Sequence, residues 1–201
     1  MSDHVKQLLD LVENSISFDG TTVRVLDAAK FRKNVTKLVE RSALASDSSA
    51  GLARFLVRAA ALELGVYAAS IHELYMARGR GDAPMTWSTP AFNLRALSHH
   101  AARAMFRAAN KINAGAFIFE LARSEMNYTD QRPSEYATNI LGAAVAEGYT
   151  GPVFIQGDHF QVSAKKYKAD AAAELKAVRD LSIEAMAAGF FNIDVDTSTL
   201  V

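Results

Sequence analysis

Apolar positions in the first third of the chain recur at the three-and-four spacing of amphipathic helices. In "HVKQLLDLVENSI" they are Val5, Leu8, Leu9, Val12 and Ile16. "FRKNVTKLVERSALA" repeats the pattern with Phe31, Val35, Leu38 and Val39. The Ala- and Leu-rich stretch "AGLARFLVRAAALELGVYAASIHELYMARG" reads as one long helix ending near Gly79. Between the first two helices, Thr21 to Leu26 reads as one short strand, and Asp27 is placed to cap the helix that follows. "ARGRGDAP" clusters Gly, Pro and charge, and marks a boundary near residue 84.

Beyond that boundary the period changes. Short apolar segments centred on Phe92, Ile118, Ile155 and Ile193 lie 26, 37 and 38 positions apart, with helical patterns between them. Strands at this spacing, each followed by a helix, predict βα units and a parallel sheet. "EGYTGPVFI" and "AAGFFNIDV" share one design, a glycine that stops a helix and then a strand. The chain therefore divides into a mostly helical extension, 1–84, and an α/β region, 85–201, with about four βα units.

In parallel α/β folds, ligands bind at the carboxyl ends of the strands. Polar residues collect there. Asn93 and Arg95 close the first strand; Glu120, Arg123, Ser124, Glu125 and Asn127 lie on or after the second. Asp158 and His159 close the third, where "GPVFIQGDHF" sets an acid beside an imidazole and Gly157 supplies a turn. Asp194 and Asp196 sit on the fourth, two apart and so pointing the same way. Each group also has an ordinary reading. Asp158 could cap the next helix beside a satisfied histidine, and the two later aspartates could be turn and salt-bridge residues. Glu120 is more pointed, because a carboxylate in a buried strand is costly unless paired or bound to a cation. His99 and His100, early in a helix, read as structural or solvated, as does His72 on a helix face.

Composition narrows the chemistry. The 201 residues carry 22 Lys+Arg against 22 Asp+Glu, so charge offers no attraction to nucleic acid or an anionic membrane. No apolar run approaches the roughly 20 residues of a membrane span, and the N-terminus lacks a signal-peptide pattern. A cytoplasmic location is the expectation. Cysteine is absent, so a metal site must draw on His, Asp or Glu. There is no GxGxxG after a strand, no P-loop and no nucleophile elbow.

Taken in order, "TPAFNLRAL", "GPVFIQGDHF" and "NIDVDTSTL" resemble strands one, three and four of the class II, zinc-dependent fructose- and tagatose-bisphosphate aldolases. The resemblance implies the N-terminal half of a (β/α)8 TIM barrel preceded by the helical extension. It implies Zn²⁺ or another divalent metal, and a phosphorylated ketose cleaved between carbons to dihydroxyacetone phosphate and glyceraldehyde 3-phosphate. Asp158 falls on the family's acid/base, His159 and Asp196 on the metal side of the site, and Asn93, Glu120 and Asp194 on the substrate side. Glu120 in "FELARSEMN" is also similar to the accessory subunit of tagatose-bisphosphate aldolase, which supports a catalytic partner. Partners are then either further copies of the chain or a catalytic aldolase subunit. The family places further metal histidines and phosphate loops on later strands, so the expectation is that this chain is the N-terminal part of a longer protein, inactive alone.

Overall fold

The computed structural model describes residues 3–200 and shows an α/β protein with a parallel sheet of five strands. It consists of two interleaved compact units. One comprises residues up to Tyr67 with Leu97–Ala114 and Glu135–Val153; the other comprises Ala68–Ala96, Gly115–Ser134 and the segment from Phe154 onward.

The first unit is helical. α1 (Asp3–Leu11) buries Val5, Leu8 and Leu9. A hairpin of β1 (Ile16–Phe18) and β2 (Val23–Val25) follows, paired antiparallel. Ile16 thus leaves the helix its spacing suggested. The hairpin turn is fixed by Asp19, whose carboxylate accepts the amides of Thr21 and Thr22 at 2.9 and 2.7 Å. Asp27 caps α2 (Ala28–Leu44) as expected, accepting the Lys30 amide at 2.9 Å. α2 packs against α3 (Ser49–Glu63) through Phe31, Val35, Leu38, Leu56 and Val57, all buried.

α5 (Ser98–Ile112) and α7 (Pro133–Ala146) complete this unit. Close packing here depends on small residues. A Cβ on Gly142 would stand 2.5 Å from Val39 Cγ2, so only glycine lets these helices approach. His99 is a buried, satisfied histidine, as its sequence position suggested. One ring nitrogen meets the Asn139 carbonyl and the other the Thr36 hydroxyl, both at 3.0 Å. Burial pushes its pKa down, against the upward pull of the Asn139 carbonyl.

The long helix expected through residue 79 breaks. Gly65 adopts φ +76°, and the chain then forms β3 (Val66–Ala69) before α4 (His72–Arg80). The left-handed glycine ends the helix, and the β-branched and aromatic pair Val66–Tyr67 suits the strand.

Strands β4 (Ala91–Asn93), β5 (Ile118–Ala122), β6 (Gly151–Asp158) and β7 (Asn192–Ile193) contain the four predicted centres. Each pairs in parallel with the next: β4 with β5, β5 with β6, β6 with β7. The sheet order is β3-β6-β5-β4, with β7 also on β6. α6 (Arg123–Thr129) follows β5 directly. The last long helix is divided at Asp170 into α8 (Ala164–Ala169) and α9 (Ala171–Ala188), and Asp170 caps the second through the Ala173 amide. Gly189, at φ +100°, stops α9 before β7, as the sequence design implied.

Candidate functional site

Register places a polar row across the sheet. Asn93 pairs with Glu120, Glu120 with Gln156, and Gln156 with Asn192. Paired residues on parallel strands share a face, so four polar side chains line one side. One residue along, Phe92, Phe119 and Ile155 line the other. Gln156 Nε2 donates to Glu120 Oε2 at 2.7 Å. Asn192 Oδ1 accepts from the Ile71 amide at 3.1 Å and the Ser70 hydroxyl at 3.2 Å. Gln156 and Asn192 were not singled out from sequence. The signal for Gln156 was its position two residues before Asp158, on the same strand face.

Asp158, His159 and Asp194 sit where β6 and β7 end. One ligand atom from each lies within 4.8 Å of the others. Backbone hydrogen bonds carry the β6–β7 ladder past the strands and hold these residues. The Asp194 amide donates to Gly157 O at 2.9 Å, the Phe160 amide to Asp194 O at 2.8 Å, and the Val162 amide to Asp196 O at 2.8 Å. His159 itself adopts φ +44°, a left-handed conformation that costs a non-glycine residue about 1 kcal/mol. Gly157, expected to supply the turn, is instead an extended strand residue; the turn belongs to His159.

Asp158 is half-buried and bridges two neighbours. Its Oδ1 lies 3.8 Å from His159 Nε2, and its Oδ2 accepts from Asn93 Nδ2 at 3.4 Å. Asn93 Oδ1 is buried and has no hydrogen-bond partner among the described residues. Glu120 has its pKa raised, first by burial and then by the nearby Asp158 charge, with the Gln156 hydrogen bond opposing. Glu125 goes the other way: burial pushes it up, but the Ala122 amide, Arg95 and Asn93 outweigh that and hold it down.

Asp196 does not join the cluster. Its carboxylate accepts from Gln161 Nε2 at 2.6 Å and from the Ser198 amide at 2.8 Å. The serine contacts first, and then Gln161, keep its pKa low. The strand on which Asp194 and Asp196 were to share a face ends at Ile193, so the alternation does not reach them.

One imidazole nitrogen and two carboxylates make a donor set suited to zinc or another divalent ion. His159 and Asp194 are exposed to solvent, and Asp158 is partly buried. The strand-end loop around them is braced by Arg123. Its Nη1 donates to Gln161 O at 2.7 Å and to Glu174 Oε1 at 2.5 Å, and its Nη2 donates to Glu174 Oε2 at 3.2 Å. Comparison with protein-family models, curated proteins and solved structures finds no match for this chain.

Proposed function

We propose that this protein is a class II, metal-dependent aldolase that reversibly cleaves a ketose bisphosphate, fructose 1,6- or tagatose 1,6-bisphosphate. The observation that carries the reading is the convergence of Asp158, His159 and Asp194 at the carboxyl ends of adjacent parallel strands. We read the consecutive parallel strands β4 to β7 as the first four of a (β/α)8 barrel, with β3 an addition to that pattern. A cytoplasmic location accords with this chemistry. No helix of the described residues is long and apolar enough to cross a membrane.

His159 and Asp194 would hold the ion, which when bound polarises a carbonyl. The remaining roles belong to the chain. Asp158 takes the proton from the hydroxyl beside the breaking carbon–carbon bond and returns it in condensation. Asn93 steadies the Asp158 carboxylate through its amide nitrogen. Glu120, half-buried in the polar row, lies toward the floor of the same face.

The test is zinc content and cleavage of both bisphosphates by the purified protein, alone and as part of any longer chain. Asp158→Ala should lose cleavage. Cleavage unchanged in that variant rejects Asp158 as the base, and a protein that neither binds zinc nor cleaves rejects the enzyme. A second reading, an accessory subunit that stabilises a catalytic aldolase, is favoured by one observation. Glu120 places a further carboxyl near Asp158, and that neighbouring charge raises the cost of ionising Glu120. Stabilisation of a catalytic aldolase on mixing, without cleavage by this chain, would select it.

A further inference from the structure

We propose that a second pocket, walled by Arg123, Ser124, Asn127, Ser163 and Lys166, binds a phosphate group. The cavity measures about 290 Å³ and is built from the segments that follow β5 and β6, with Thr199 closing one side. Ligand pockets run from roughly 300 to 1,000 Å³, so this space, at the small end, suits a phosphate with a few attached atoms.

The donor inventory favours an anion. Arg123 uses both Nη1 hydrogens and one on Nη2 for Gln161 O and Glu174, leaving Nε–H and the other Nη2 hydrogen for a ligand. Ser163 Oγ accepts from the Lys166 amide, so its own hydrogen is free to donate. Neither the Ser124 hydroxyl nor the Asn127 amide makes a hydrogen bond among the described residues, and Lys166 forms no salt bridge there. No carboxylate lines the pocket. Two acids stand behind lining residues: Glu174, buried against Arg123 with its side chain 2% exposed, and Asp196, whose carboxylate is taken up by Gln161 and the Ser198 amide.

The guanidinium is therefore held rigid before any ligand arrives, and rigid donors lose little freedom on binding. Lys165 and Lys168, beside Lys166 in sequence, are exposed and also free of salt bridges among the described residues, which adds to the local positive field. Phosphate, with its several acceptor oxygens, matches a wall of donors from a guanidinium, an ammonium, an amide and two hydroxyls. The pocket shares none of Asp158, His159 and Asp194 with the metal cluster.

The test is titration of the full chain with inorganic phosphate and with glycerol phosphate, followed by phosphorus NMR and by amide shifts of Ser124 and Asn127. EDTA is present throughout, so the outcome is independent of zinc. Lys166→Glu and Asn127→Asp lie at the surface and leave the buried Arg123–Glu174 pair intact; circular dichroism checks their folding. Saturable binding that each variant weakens about tenfold or more is expected. Tighter binding of glycerol phosphate assigns the pocket to an esterified phosphate, and tighter binding of inorganic phosphate to the free ion. Absence of saturation, or equal affinity in wild type and both variants, overturns the proposal.

Discussion

The ring of Phe160 occupies the space where residue 157 would carry a side chain. A Cβ on Gly157 would lie 2.5 Å from Phe160 Cε1 and 2.7 Å from Cζ, and the ring is fully buried. The glycine in "QGDHF" therefore admits the phenylalanine that folds back over the strand end, with His159 as the left-handed hinge between them. Gly157→Ala should destabilise by about 1–3 kcal/mol through overpacking and weaken metal binding by displacing His159. Denaturant midpoints and zinc titration check both effects. Adding Phe160→Leu should recover part of the lost stability, because the two residues share one space. A Gly157→Ala protein as stable as wild type would mean that the ring moves aside freely.

Metal affinity should separate the two aspartates that follow β7. Asp194 offers its carboxylate to the cluster, whereas Asp196 is taken by Gln161 and Ser198. His159→Ala should lower zinc affinity about 100-fold, and Asp194→Asn by about tenfold or more, while Asp196→Asn should stay within about tenfold, the lower range for outer groups. Calorimetric zinc titration of the three variants decides. A larger loss at Asp196 than at Asp194 would return the ligand role to Asp196.

Much of the fold was legible because its signals are local. The centres Phe92, Ile118, Ile155 and Ile193 all fall in strands, Asp27 caps its helix, and Gly189 ends one. β3 was not legible, since four residues within an Ala-rich helical pattern carry no period of their own and only Gly65 marks the break. The hairpin strand β1 was hidden because Ile16 completes a helical spacing that the chain abandons after Leu11. At the site, sequence order brought Asp158 and His159 to a strand end. The choice of Asp194 over Asp196 as their neighbour depends on where β7 stops, which backbone bonds across β6 and β7 decide. The Arg123–Glu174 brace joins residues 51 apart, and no periodicity announces it.

That brace should make the protein sensitive to acid. Glu174 is buried, and Arg123 first, then the Ser163 amide, hold its pKa below the ordinary carboxylate value of 4.5. A depressed carboxylate contributes stability above its unfolded pKa and loses it as pH falls through the folded one. The contribution should be complete at neutral pH and decline progressively below about pH 4.5. Glu174→Ala leaves Arg123 buried without its partner, and should cost about 3–5 kcal/mol at pH 7. Unfolding by urea between pH 3 and pH 7 should show the gap between wild type and variant closing toward the acid end. A constant gap would place the stabilisation in packing rather than charge.

Glu120 should behave in the opposite sense. Burial and the Asp158 charge raise its pKa above 4.5, so its protonated form is the one the fold prefers. A raised carboxylate contributes stability below its unfolded pKa and loses it as pH rises through the folded pKa. Glu120→Gln removes the charge while keeping an oxygen to accept the Gln156 amide proton, a bond now 2.7 Å long. The variant should match wild type near pH 4 and become the more stable of the two as pH rises toward 7. If Glu120 also serves the substrate face, the gain should come with weaker substrate binding, the pattern expected where function keeps a costly charge in place. Urea midpoints across that pH range test the first part, and substrate titration of the same variant tests the second. A variant less stable than wild type at pH 7 would show that the Glu120 carboxylate is held by favourable contacts that outweigh its burial.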